Sequence, residues 1–392
     1  MATSHLPLWA GCVATVVAFA AAALAAHRIA FFSDATHVTG AAGAARFGHL
    51  DGLRGYLAFA AFLTHAASSV GWYRTGDWTW PDSVAYTLCG RVPVALFFMI
   101  TGFLFVRKVV AARGRPDWNR LYVGRVRRLA PLYLVVTAAI FVVVAQKTGW
   151  ALRESPARIF VGAFEWLGLG VLGHGNLNGL YQTALIDPAM WTLRYEWFFY
   201  AALPLVACFA TPRRAPLLVP ATLILVYALG VDAVIFNFLF GAFAALIHVR
   251  WPQVLRLRHP AASVAALAAL AATALPLARG YGAAQSLLLF PLFACALYGN
   301  GFFGALTAPS ARLLGLVSYS VYLTHGVVLY VGLQLLNLAA PIVGIGDVAY
   351  AGATTLIGAV TVGVSLATFR FVEYPFMKEG HGARAATAVA AR

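Results

Sequence analysis

The chain has 392 residues, of which 61% are hydrophobic and only 10% charged, with a mean hydropathy of +0.80. A soluble domain is about one quarter charged, so this composition excludes a soluble globular fold and points to a chain that crosses a bilayer several times. The formal net charge of +15 would suggest nucleic acid in a soluble protein, but here the cations lie in short segments between apolar runs, where they set orientation; no nucleic-acid partner is expected.

Apolar runs near the ~20 residues that span hydrocarbon are predicted at 8–26, 52–70, 91–110, 129–146, 192–210, 216–232, 233–249, 261–278, 283–300, 313–336 and 347–370. The first, Leu8 to Ala26, has the length of a signal peptide but no Lys or Arg before it; it reads as a retained span. The segment from Arg107 to Arg128 carries eight Lys and Arg residues and is expected on the cytoplasmic side. The pairs Arg213–Arg214 and Arg256–Arg258, with Arg250, and a tail holding Lys378, Arg384 and Arg392 are expected there too. All these constraints hold together when the short apolar piece 158–173, interrupted by Glu165, does not cross. Residues 147–191 then form one long outer segment, partly re-entrant or interfacial, as irregular backbone at membrane depth requires a protein cavity to line. The fold class is all-α: a polytopic transmembrane helix bundle of about eleven spans, N-terminus outside and C-terminus inside. Its expected parts are an N-terminal helix and cytoplasmic linker over 1–47, a membrane domain over 48–378 and a cytoplasmic tail over 379–392. The absence of an internal repeat disfavours a secondary transporter.

Ionisable residues within spans are functional candidates. Arg54 and His65 lie eleven residues apart in the run LDGLRGYLAFAAFLTH. Eleven helical steps return to within ~20° of the starting face, ~16 Å along the axis. Arg54 is expected at the cytoplasmic mouth, where its donor fork suits phosphate. His65 is expected deep, where it can take a proton from an attacking hydroxyl. The plainer alternatives are a snorkelling Arg and a His bonded within the bundle. Glu196, two residues after Arg194, could orient a His, bind a sugar hydroxyl or pair with an arginine. Ser318, Tyr322 and His325 share a helix face and read as polar glue between helices. Asp51, Arg91 and Glu373 read as interfacial anchors or ion-pair members. Cys12, Cys89, Cys208 and Cys295 lie far apart and read as small buried hydrophobes. Neither the cysteines nor the scattered histidines have metal-ligand spacing, and no metal or permanently bound cofactor is expected. Trp150, Trp166, Tyr181 and Trp191 in the outer segment are aromatic enough to stack on sugar rings, though belt residues would look the same.

Five stretches in order carry a resemblance. His49-Leu50-Asp51-Gly52-Leu53-Arg54-Gly55 with the Arg54/His65 spacing, Phe97-Phe98-Met99-Ile100-Thr101-Gly102-Phe103-Leu104, Arg125-Val126-Arg127-Arg128 with Pro131, Trp191-Thr192-Leu193 with Glu196 and Phe199-Tyr200, and Val372-Glu373-Tyr374-Pro375 together resemble the acyltransferase 3 family of membrane O-acyltransferases. Thr101 stands where that family usually has Ser. The span at 8–26 is extra to the family's ten-span core, and the esterase-like domain of some members is not expected here. The resemblance implies acyl-CoA, most often acetyl-CoA, as donor substrate. It implies a hydroxyl on a surface or exported carbohydrate, or on a small intracellular acceptor such as a macrolide, as acceptor. It also implies His65 as the catalytic histidine, acting as general base or accepting the acyl group first, two routes between which the sequence does not choose; Arg54 is its partner on the donor path, Arg125 and Arg128 are the grip on the CoA phosphates, and Glu196 is the motif glutamate of open role. The expected location is the cytoplasmic (inner) membrane as a multi-pass protein. The rival reading of the buried Arg, His and Glu is a proton-coupled transporter of an anionic or sugar-like solute. The oligomeric state does not follow from the sequence.

Overall fold

The computed structural model describes residues 6–33, 47–208, 232–278 and 280–377, with Leu217 and Ile224. Among these the chain is all-α, without strands. The helices are α1 Leu8–Arg28, α2 Gly48–Thr75, α3 Val84–Ala111, α4 Trp118–Lys147, α5 Pro156–Leu167, α6 Thr192–Cys208, α7 Ile235–Arg250, α8 Pro260–Ala272, α9 Ala283–Leu297, α10 Pro309–Leu316, α11 Ser318–Ala339 and α12 Asp347–Thr368. The predicted span over 216–232, the pair Arg213–Arg214, most of the linker before residue 47 and the basic tail from Lys378 lie outside the described residues.

Five helices among the described residues are long and apolar enough to cross a membrane: α1, α3, α4, α11 and Asp347–Met377. Helix α2 is 28 residues long but is less apolar than these and is not one of them; it carries Asp51, Arg54, His65 and Arg74 along its length. Large apolar side chains such as Val16, Val142, Leu205, Leu335 and Leu356 are exposed on the outside of the bundle. On a soluble protein such a surface would drive association; on this one it matches hydrocarbon. Cys12 and Cys208 belong to that surface, correcting the expectation that they are buried; Cys295 is buried.

Local chemistry sets the helix ends. Asp117 caps α4 by accepting from the Arg120 N–H at 2.9 Å, and Ser155 with Pro156 starts α5, both expected of N-terminal positions. Helix α5 accounts for the non-crossing piece: it has only 12 residues, exposes Phe160, Val161 and Phe164, and buries Trp166, as a helix lying in an interface does. The span predicted over 313–336 is two helices, α10 and α11, meeting at Val317.

Close backbone crossings place the site. A Cβ on Gly102 of α3 would strike the Phe238 carbonyl of α7, and one on Gly241 of α7 the Met99 carbonyl of α3. Likewise Gly315 of α10 meets the Asp51 carbonyl of α2. Small residues at such points let helices approach backbone to backbone. With α2 locked against α10 and α3 against α7, the space between α2, α3, α4, α6 and α11 stays open at the arginine-rich end. After α12 the chain makes a π-helical turn over Phe369–Glu373, and this wider turn points Glu373 inward, where it is fully buried. Of the two readings of Glu373, that corrects the interfacial anchor and leaves the ion-pair member, with Arg128 as the partner.

Candidate active site

The space at the arginine-rich end is a cavity of about 1520 Å³. Seven cations line it, Arg54, Lys108, Arg120, Arg125, Arg127, Arg128 and Arg312, against the three carboxylates Asp51, Asp117 and Glu196. A cavity with this excess of guanidinium groups is built for a multiply charged anion. Four of the sequence candidates are brought together here: Arg54 from α2, Arg125 and Arg128 from α4, and Glu196 from α6.

Each of the four is held by a neighbour. Arg54 lies 3.6 Å from Asp51 one turn earlier. The Arg125 guanidinium stacks on Phe105 at 4.7 Å and reaches the Tyr200 hydroxyl, which donates to Glu196 Oε2 at 2.7 Å. Of the three roles the sequence left open for Glu196, the geometry matches the arginine partner, acting through Tyr200. Arg194 takes no part, lying instead over the Phe198 ring at 5.4 Å. Arg128 is in electrostatic contact with Glu373, and Glu373 accepts a hydrogen bond from Ser320.

The inner end of the cavity is closed by a polar and aromatic floor. The Tyr322 hydroxyl lies 3.1 Å from Thr192 Oγ1, and its ring is 5.6 Å from that of Phe97. Thr101 and Ser318 line the same region. Beyond the floor stand two histidines. His325 has its ring centroid 5.9 Å from Tyr322, and its Nε2 is 2.8 Å from His65 Nδ1. The two imidazoles are nearly parallel, 9° apart with centroids at 5.0 Å.

His65 does not line the basic cavity, although it shares a helix face with Arg54. It opens instead onto a narrow cleft at the opposite end of the bundle, with Ser69, Trp72, Trp78, Pro188 and Tyr330. At about 10 Å³ the cleft holds one water at most. The histidine thus stands between a wide basic cavity on one side and a small aromatic cleft on the other.

An acyltransferase-domain family, acyltransferase 3, matches residues 47–370. The chain belongs to that family. It is a membrane acyltransferase. The match runs from the first residue before α2 into the π turn after α12, so it takes in the floor, both histidines and all of the cavity wall but Phe376 and Met377. No curated protein and no solved structure matches the chain.

Near this site Asp187 escaped the sequence, and His325 and Glu373 were each read only in part. His325 read as glue between helices; it does join α11 to α2, but its partner is His65. Asp187 is buried in the connection between α5 and α6, with Oδ1 accepting from Ala189 N–H and Oδ2 lacking a partner among the described residues. It packs against Gly326, the residue after His325. A lone acid set between Ile186 and Pro188 at a predicted loop was the available signal. Glu373 was read as an interfacial anchor or ion-pair member; the structure places it in the bundle facing Arg128. Of the four outer aromatics proposed as a sugar platform, Trp166 is fully buried, with its indole N–H on the Gly175 carbonyl at 2.9 Å, so it is a structural residue. Trp150 and Tyr181 are exposed.

Proposed function

We propose that this acyltransferase moves an acyl group, with acetyl the favoured case, from acyl-CoA at the cytoplasmic face to a hydroxyl of a surface or exported carbohydrate. The observation that carries this reading is the pairing of a wide cationic cavity with a separate aromatic cleft, on the two sides of one histidine. The CoA phosphates lie against Arg54, Arg125 and Arg128, where fixed donor forks and low exposure strengthen each contact. The flexible pantetheine arm extends past the Tyr322–Thr192 floor and carries the thioester to His65. The ~16 Å rise between Arg54 and His65 along one helix is a distance an extended arm covers. Passage requires Tyr322 and Phe97 to move aside, which breaks the Tyr322 hydroxyl contacts with Thr192 Oγ1 and the Ala189 carbonyl and the ring contact with Phe97.

At His65 the acceptor hydroxyl gives its proton to the imidazole as its oxygen attacks the thioester carbonyl. The C–S bond breaks, and the leaving thiolate takes the proton back from His65. The products are an ester and free CoA. The acceptor comes through the outer cleft, where Trp72, Trp78 and Tyr330 offer faces for a sugar ring. By the positive-inside rule the cavity mouth faces the cytoplasm, and the protein resides in the cytoplasmic membrane.

Oriented proteoliposomes test this reading. Radiolabelled acetyl-CoA is supplied on one side, and a crude surface-glycan extract on the other. Label should enter glycan when the donor is on the side of the 107–128 segment and the acceptor on the other. Equal labelling with donor and acceptor on the same side would show that acyl transfer does not cross the floor.

A further inference from the structure

We propose that His325 is a positioning residue for His65: it fixes which nitrogen of His65 carries the proton, leaving the lone pair on the nitrogen away from the pair. The inference rests on the reading of His65 as the base. It starts from the Val321 carbonyl, 3.1 Å from His325 Nδ1. A carbonyl oxygen only accepts, so Nδ1 must carry the hydrogen. A neutral imidazole protonated at Nδ1 has its lone pair at Nε2. The 2.8 Å contact between His325 Nε2 and His65 Nδ1 then has one possible direction, with His65 Nδ1–H donating. Neutral His65 is therefore left with its lone pair on Nε2, which makes no hydrogen bond among the described residues.

The alternative, a cationic His325 donating from both nitrogens, would place a charge at a fully buried residue with no carboxylate hydrogen-bonded to either ring. That arrangement is costly. Asp187 packs on the neighbouring Gly326, but its own hydrogen bond goes to the Ala189 N–H. The same geometry serves the reaction. When Nε2 takes the acceptor's proton, His65 becomes an imidazolium whose Nδ1–H still donates to His325 Nε2. When the thiolate removes that proton, the pair returns to its starting state. A carboxylate does this work in many hydrolytic sites; here a second histidine, fixed by its own helix backbone, holds the base without bringing a negative charge into the membrane.

The test compares wild type with His65→Ala, His325→Leu and His325→Gln, full length in nanodiscs, measuring thiol release from acetyl-CoA with crude surface-glycan extract as acceptor. His325→Leu removes the acceptor for His65 Nδ1–H, and His325→Gln replaces it with an amide oxygen. The expected result is a kcat about 100-fold lower or worse for His325→Leu, on the scale of a positioned base, with donor KM unchanged and substantial recovery in His325→Gln. His325→Leu within twofold of wild type while His65→Ala is inactive would overturn this inference alone. So would His325→Gln no better than His325→Leu at equal thermal stability. His65→Ala as active as wild type would overturn the functional reading and this inference with it. A second readout does not need turnover. Diethyl pyrocarbonate acylates unprotonated imidazole nitrogen, and peptide mass spectrometry locates the adduct. Wild type should be labelled at His65 and not at His325, and His325→Leu should slow labelling of His65 several-fold while His325→Gln does not. Preferential labelling of His325, or identical His65 rates in all three proteins, would overturn the assignment.

Discussion

Replacing Arg125 by glutamine takes one cation off the cavity wall while leaving a planar side chain that can still lie over Phe105. In the native protein the guanidinium stacks on that ring at 4.7 Å and meets Tyr200, whose hydroxyl is 2.7 Å from Glu196. It is therefore pre-positioned, and little side-chain entropy is lost when a phosphate arrives. A hydrogen bond to a charged group contributes about 1.5–3 kcal/mol, which converts to about 10- to 150-fold in affinity. Arg125→Gln should weaken acetyl-CoA binding within that range. Isothermal titration of the purified protein in detergent measures it, with S-acetylpantetheine, which lacks the nucleotide and its pyrophosphate, as the control. The control ligand should bind both proteins equally. Acetyl-CoA affinity within twofold of wild type would refute the assignment of the cavity to the donor's phosphates. An equal loss for both ligands would show that Arg125 supports the fold rather than the phosphates.

Two further outcomes follow from packing and burial. Burial pushes the Asp187 carboxyl up to about 8 from an ordinary 3.8. A raised folded-state value means that this group's contribution is full below about pH 4 and is lost as the pH climbs towards 8, at up to about 1.4 kcal/mol per pH unit. Asp187→Asn should flatten that part of the decline in melting temperature measured between pH 5 and 9; an unchanged slope would show that Asp187 is ionised in the folded protein. Gly102→Val drives a side chain into the Phe238 carbonyl, and overpacking of this kind costs about 1–3 kcal/mol. Its melting temperature should fall by several degrees, while Gly124→Ala, where an added Cβ meets nothing within 4 Å, should cost far less. Equal melting temperatures would contradict the close crossing of α3 and α7.

The parts of this molecule that are legible in the sequence are those set by local rules. Hydrophobic run length located most of the described helices, though not the break at Val317, and arginine clustering marked the end that holds the basic cavity. Helical arithmetic put Arg54 and His65 on one face, and the five ordered stretches gave the family. What local rules do not reach is the intrusion of other helices between those two residues. Phe97 from α3, Thr192 from α6 and Tyr322 from α11 divide the face into a cavity wall and a site beyond it. The burial of Glu373 was not anticipated because a π turn changes the direction of a side chain in a way that 3.6-residue periodicity does not foresee. Trp166 was misread because an aromatic in a short amphipathic helix looks the same whether its face meets lipid, a sugar or the bundle; here it fills the core beside His174, with ring centroids 4.7 Å apart. His325 was seen on the right face, but a contact across 260 residues of sequence leaves no local trace.

Acyl transfer at His65 is tested by thiol release from acetyl-CoA by the purified protein in nanodiscs, wild type against His65→Ala, with and without crude surface-glycan extract. Release should rise with extract in the wild type and fall to background in His65→Ala. Equal release from the two proteins, both shown to be folded, would contradict acyl transfer at His65.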